Sequence, residues 1–430
     1  MQITGWTRRN RFSHWSIATT IATVTILSRL CTVCALRHCA LAFASARSIS
    51  NPSPFLSRAR SATVMNAATS TYEISTNLRG LFAGSGVEGL SNPLINAQIL
   101  DLLPPEKTQD GFQDVRVLYL GTATYDISFF REKQTGRFVD KGCQVSHLDV
   151  ASGDIDIGEC AKAIASADIL LVGGGNTLFA VDRWNHLGLV EHMRAAMERG
   201  CILTGGSAGA ICWFDSGHSD SADPETYQHA MLQEYSQESN KEDESSDYDP
   251  ANKKPWKYLR CPGLGFVPGP MVCCPHHDKT QSNGLLRAHD FDQMLLARAQ
   301  SSQNSVLGIG IDHYAAFVVT GEDYQVYSLP EKPGSISTNE DNLDGYFDVS
   351  EDGTPNGKPG VWIKRVIVDA SDDTNGELSV EAMVCPPSGK LADLLAYGGD
   401  NLPGQHNVEN DENQAAVDKC RSENPSGKEF

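Results

Sequence analysis

The residues with the clearest chemical pattern are Gly205-Gly206-Ser207-Ala208-Gly209-Ala210. The apolar run Cys201-Ile202-Leu203 precedes them and Ile211-Cys212-Trp213-Phe214 follows, which reads as a strand, a glycine-rich turn and the start of a helix. Glycines admit a turn too tight for residues that carry a Cβ, so the Ser207 hydroxyl projects beyond the sheet edge. A helix N-terminus behind it offers free N–H groups to a developing negative charge. The chemistry this suits is attack of a serine on a carbonyl carbon. Gly-x-Ser-x-Gly is short and also occurs in ordinary tight turns; the strand before it and the helix after it give it weight. A phosphate-binding loop fits less well, because the Gly-Lys-Ser/Thr ending and the Gly-x-Gly-x-x-Gly spacing are both missing.

A serine nucleophile needs a base within hydrogen-bond reach, and the base needs an orienting acid. Among the 12 histidines, His276 and His277 stand out because they follow the apolar stretch 269–275 at an expected strand end. Asp312 follows Gly308-Ile309-Gly310-Ile311 at another strand end, where an aspartate also commonly serves as a cap. The elements that must position these groups alternate. Strands are expected at 115–120, 142–149, 167–172 and 201–204, with helices over 128–138, 157–165 and 190–198. Further strands are expected at 307–311 and 315–319, and an antiparallel part at 324–329 and 361–368. This predicts an α/β fold, a mostly parallel sheet flanked by helices on both faces. Ligands in such sheets bind beyond the carboxyl ends of the strands, where Gly173-Gly174-Gly175-Asn176-Thr177 and residues 205–210 both lie.

The 430 residues suffice for one large domain or two ordinary ones, and 40% hydrophobic content can form a buried core. A net charge of −19 argues against a nucleic-acid partner. Residues 1–72 hold eight Arg and no Asp or Glu, leaving 27 basic against 54 acidic residues in the rest. We read 1–72 as a presequence. Residues 16–27 are uncharged but fall short of the roughly 20 residues a membrane span requires, so no stable span is expected. A signal-like core followed by a Ser/Arg-rich run points to an organelle, plastid or mitochondrion; if translation starts at Met65 the protein is cytoplasmic. The nine cysteines outside this segment lie mostly in apolar stretches without repeated Cys-x-x-Cys pairs, which argues for buried free thiols and against a zinc site. Residues 73–395 are the expected catalytic domain. They include an acidic insertion, 223–255, whose polar stretch 233–254 is read as solvated and disordered, and a loose polar tail follows over 396–430.

Several blocks together carry a resemblance. Residues 205–210 continue into Cys212-Trp213-Phe214 and Ser216-Gly217-His218-Ser219-Asp220-Ser221. Residues 173–177 precede them, and Gly263-Leu264-Gly265-Phe266-Val267-Pro268-Gly269 with Cys274-Pro275-His276 follow. In this order, over about residues 75–370, they resemble the peptidase E family of serine peptidases. The resemblance implies a fold like that of class I glutamine amidotransferases, no metal or other cofactor, and cleavage of dipeptides with N-terminal aspartate. It implies Ser207 as nucleophile, His276 as base and Asp312 as the acid, with Asp220 as the alternative acid. Oxyanion donors would come from Ala208 and from Gly174 and Gly175. Asn176 and Arg287 would bind substrate, Arg287 meeting the acidic side chain. The expected partner is a small peptide; the sequence is silent on oligomeric state.

Other readings stay open. A cyanophycinase-like peptidase shares the fold. An α/β-hydrolase esterase shares the turn, but its order Ser, Asp/Glu, His would need His313 or His406 as base. A non-catalytic amidotransferase-like binding module is the third, and it predicts that serine reagents leave Ser207 unlabelled.

Overall fold

The computed structural model describes residues 72–237, 255–301, 306–368, 378–398 and 408–427, all within one unit, Ala67–Phe430. Residues 1–71 of the expected presequence, 238–254 of the acidic insertion, and His406 lie outside the described residues.

The chain opens with β1 (Arg79–Ala83), the short α1 (Val87–Leu90) and α2 (Pro93–Asp101). Then come β2 (Arg116–Leu120), α3 (Ser128–Asp140), β3 (Gln144–Leu148), α4 (Ile157–Ser166) and β4 (Ile169–Val172). They are followed by α5 (Thr177–His186), α6 (Val190–Glu198), β5 (Ile202–Gly206), α7 (Ala208–Ile211), β6 (Ser216–Ser219) and α8 (Gln228–Gln237). The second half holds β7 (Leu259–Pro262), β8 (Met271–Cys274), α9 (Arg287–Ser301), β9 (Leu307–Ile311), β10 (Ala315–Thr320) and β11 (Asp323–Ser328). A small ribbon, β12 (Ile336–Ser337) and β13 (Tyr346–Phe347), precedes β14 (Val361–Val368), β15 (Leu378–Val384), β16 (Ser388–Lys390), α10 (Leu391–Tyr397) and α11 (Val408–Glu423).

The fold is α/β, with its strands divided between two main sheets. The first is ordered β16-β11-β10-β1-β5-β4-β2-β3. Its β1-β5-β4-β2-β3 part is parallel, and β10, β11 and β16 are antiparallel additions. The second is ordered β15-β14-β9-β8-β6-β7, with β6, β8 and β9 parallel. The strands at the heart of the first sheet are buried on both faces, so β4 reads Ile-Leu-Leu-Val without alternation. One core joins the sheets, running from Phe82 and Leu203 through Trp213 and Phe214 to Met271, Ile309 and Ile363. All nine described cysteines are buried as free thiols. Among the described residues no helix is long and apolar enough to cross a membrane.

Two expectations change. The described start of the acidic insertion is structured: Asp223 caps a short 3-10 turn at Pro224–Thr226, and α8 follows. The C-terminal segment is not loose over its described part. In α11, Val417 and Cys420 pack against Leu178, Leu259 and Cys261, and Arg421 grips Asp182 through two donors at 2.7 and 2.9 Å. Just beyond the helix, the Asn424 amide donates to the Tyr125 hydroxyl at 2.8 Å. The apolar residues sit one helical turn apart on an otherwise polar helix, enough to dock one face. Val417→Ala should therefore cost about 1–3 kcal/mol of stability by denaturant unfolding. An unchanged midpoint would show that α11 does not hold the domain.

Candidate active site

Three turns meet at the carboxyl ends of adjacent strands β1, β5 and β4. At the end of β5, Ser207 has φ 57° and ψ −121°. A residue with a Cβ pays about 1–3 kcal/mol for such a left-handed backbone, which persists only where its surroundings enforce it. Here they do. The Ser207 N–H donates to the Ala83 carbonyl at 3.2 Å, and a Cβ on Gly206 would stand 2.1 Å from the Ser85 carbonyl oxygen. The turn after β4 lies alongside: a Cβ on Gly174 would be 3.5 Å from the Ser207 Cβ. Among the described residues no backbone carbonyl accepts from the N–H groups of Gly174, Gly175 or Ala208. The helix behind Ser207 is a single turn, so stabilisation of an anion falls to individual amides rather than to a helix dipole.

His276 arrives from the second sheet, two residues past β8. Its N–H donates to the Gly84 carbonyl at 2.9 Å. Gly84 is pressed so closely that a Cβ there would stand 1.9 Å from the Asp312 carbonyl oxygen. Sequence reasoning missed this turn. Its signal was the run Gly80-Leu81-Phe82-Ala83 followed by Gly84-Ser85-Gly86, the same strand-then-glycines pattern seen at Ser207.

The partners of His276 differ from those expected. Its Nδ1 lies 2.7 Å from Nδ1 of His313. The His313 Nε2 pairs with the Glu88 carboxylate of α1, and the His313 backbone N–H donates to Asp278 at 2.7 Å. Asp312 is fully buried and turned the other way. It accepts from the backbone N–H groups of Ser335 (2.9 Å) and Gly360 (3.1 Å), from the Ser335 hydroxyl, and at 3.4 Å faces His277 Nδ1. It caps the second sheet instead of orienting His276. The alternative acid, Asp220, faces Arg287 Nη1 at 3.5 Å. Arg287 is 1% exposed, donates to the His218 carbonyl at 2.5 Å, and stacks on Tyr258; its head is engaged inside the protein. Asn176 is likewise committed. Its Oδ1 caps α5 through Phe179 N–H, and its amide donates to the Ser221 carbonyl and Thr226 hydroxyl. With 1% exposure and these bonds made, it is a structural cap and not a substrate contact.

The electrostatics favour a neutral base. Loss of water around the ring pushes His276 well below the ordinary 6.5, aided by His313, Arg287 and Lys279. Burial likewise lowers His313, against the pull of Glu88. Burial raises Asp312 to about 7 despite its hydrogen bonds, and raises Asp278 to about 6 with help from Asp312. A cavity of about 590 Å³ opens between Thr280–Gln293 and Val349–Gly353, and neither Ser207 nor His276 lines it. His313, the other histidine weighed as a base, is held between His276 and Glu88.

Residues 95–327, just over half the chain, match the model described as peptidase family S51. A Trypanosoma brucei brucei protein named G2/mitotic-specific cyclin-1 is 29% identical over 282 residues, 61% of this chain and 79% of that one. That name describes the other protein, and nothing of it is carried over. The Bacillus subtilis strain 168 protein named uncharacterized peptidase YgaJ is 35% identical over 114 residues, 26% of this chain and 47% of that one. The chain thus spans about half of that relative's length. Two solved structures share 15% and 16% identity, at TM-scores of 0.38 and 0.37. One is a Listeria monocytogenes EGD-e protein named as a peptidase E candidate, and the other a peptidase from an acI-B1 Actinobacterium. They cover 59% of this chain, and 98% and 93% of their own.

A base with a depressed pKa stays neutral to lower pH. Acylation of Ser207 by a fluorophosphonate should therefore rise with pH and reach its plateau below pH 6.5. A rise still under way above pH 6.5 would contradict the neutral-base geometry.

Proposed function

The chain belongs to peptidase family S51, and from that premise we propose that it cleaves short peptides through Ser207, with His276 as base and N-terminal aspartate as the preferred first residue. The observation that carries this reading is the left-handed Ser207 turn, held by Gly206 and bordered by Gly174. His276 Nε2 takes the Ser207 proton as the hydroxyl oxygen attacks the peptide carbonyl. The N–H groups of Ala208 and of Gly174 or Gly175 hold the oxyanion. The C–N bond then breaks, and the amine leaves with the proton from His276. Water, activated by the same histidine, releases the acid and restores Ser207.

The preference for aspartate rests on the family resemblance and on Arg287. Arg287 acts on His276 through its charge, and its 3.5 Å approach to Asp220 is loose. Arg287 is buried, so an incoming carboxylate reaches its guanidinium only by displacing Asp220, the more exposed partner at 22%.

Ser207→Ala should lower kcat by on the order of 10⁶ on any substrate, and full activity in that variant would end the assignment. A dipeptide panel then tests the preference separately. Asp-X should exceed Asn-X in kcat/KM by about tenfold or more, the discrimination of a charged hydrogen bond. Equal rates would remove Arg287 from recognition and leave Ser207 in place.

A further inference from the structure

We propose that His276 is oriented by a relay, His276–His313–Glu88, in which His313 is the positioning residue for the base and Glu88 supplies the negative charge. The proposal rests on the reading of His276 as general base given above.

Two ring nitrogens 2.7 Å apart form a hydrogen bond only if one carries the proton and the other the lone pair. His276 must keep its Nε2 lone pair for the Ser207 proton, so its own proton sits on Nδ1 and is donated to Nδ1 of His313. The single proton of neutral His313 then sits on Nε2 and is donated to the Glu88 carboxylate. Every tautomer in the chain follows from the one requirement that His276 act as base. When His276 becomes an imidazolium, its charge is felt through His313 by Glu88, and no proton moves beyond His276.

The surroundings leave this task to the relay. Asp312 is committed to Ser335, Gly360 and His277, and Asp220 faces Arg287 at 3.5 Å. The charged groups acting on His276, apart from His313, are Arg287 and Lys279, both opposing an imidazolium. His313 is faced by Glu88, Asp278, Lys279 and the Tyr314 ring. Glu88 lies outside the 95–327 range of the family match, in a one-turn helix immediately after the Gly84–Gly86 turn.

Wild-type hydrolysis, fluorophosphonate labelling of Ser207 and inactivity of Ser207→Ala first establish the underlying peptidase reading. If labelling or the Ser207 dependence fails, that reading falls and takes the relay with it. If they hold, substitutions at His313 separate an acceptor role from a merely structural one. Asp or Asn places an oxygen where the imidazole Nδ1 stands, whereas Gln, although closer to the ring in size, places its amide where Nε2 stands. His313→Asp should stay within about tenfold of wild type, while His313→Gln loses about 10²–10⁴ in kcat, as when a base loses its orienting partner. Glu88→Gln keeps an acceptor for His313 and removes only charge; it should lower kcat about tenfold in the wild type and change little in the His313→Asp background, a coupling read by double-mutant cycle. His313→Gln at least as active as His313→Asp would overturn the relay. So would an equal effect of Glu88→Gln in both backgrounds.

Discussion

The site depends on the absence of a side chain at Gly84. This residue opens the turn after β1, and its carbonyl accepts the His276 N–H at 2.9 Å while its α-carbon lies against the Asp312 carbonyl. Those two residues leave β8 and β9 of the second sheet. The Ser207 turn leaves β5 of the first, tied to the same region by the bond from Ser207 N–H to Ala83. Ser207 and His276, the proposed nucleophile and base, therefore extend from different sheets, and the Gly84 carbonyl ties the His276 backbone to the end of β1. A methyl group there would push the sheets apart by more than an ångström, since its clearance of 1.9 Å is far inside van der Waals contact. Positioning demands of this kind are severe, because displacement of a reacting group by about 1 Å can cost on the order of a hundredfold in rate.

Around that junction the protein stores strain and desolvation where chemistry needs them. Ser207 and His276 both have positive φ, 57° and 50°. Such backbones at non-glycine residues cost about 1–3 kcal/mol each and are retained where surrounding packing dictates them. Desolvation keeps His276 neutral, the form that can accept a proton. The same burial would be ruinous for a carboxylate without donors, which is why Asp312 sits among the N–H groups of Ser335 and Gly360. Burial thus sorts the two neighbouring pairs: His277 and Asp312 close the interior, while His276 and His313 face each other at the strand ends.

Local signals were legible in the sequence, and pairings between distant segments were not. The strands at 116–120, 169–172, 202–206 and 307–311 follow from short buried apolar runs, and the Ser207 turn from its glycines. The choice between Asp312 and His313 was not local. Cys274 pairs with Gly310 in the parallel register of β8 and β9, so simple extension sets 276 beside 312. The left-handed backbone at His276 breaks the two-residue alternation on which that extension relies. The partner consequently moves by one residue, and no strand pattern announces it. Asn176 was legible in principle, because an Asn just before a helix is an N-cap first. The burial of Arg287 was not, since its counter-charge, Asp220, comes from a strand end 67 residues away. The helix α11 was hidden by its polarity; among its described residues the apolar ones packed inward are Ala416, Val417 and Cys420.

In the proposed mechanism, catalysis and cohesion between the sheets become one property. Ser207 and Glu88 extend from the first sheet, at the ends of β5 and just past β1, while His276 and His313 extend from the second, past β8 and β9. Proceeding from the proposed nucleophile to the proposed base, its positioning residue and the carboxylate, the chain of groups crosses from the first sheet to the second and back again. A base oriented by a carboxylate on its own sheet would keep its tautomer even if the sheets slid apart, with only the distance to Ser207 lost. Here a slide breaks the approach to Ser207 and the bond to Glu88 together, and it also exposes the His276 ring to water, raising its affinity for protons. In the proposed relay both contacts are consequently lost together, and the close approach at Gly84, which carries no functional group, is part of what keeps them.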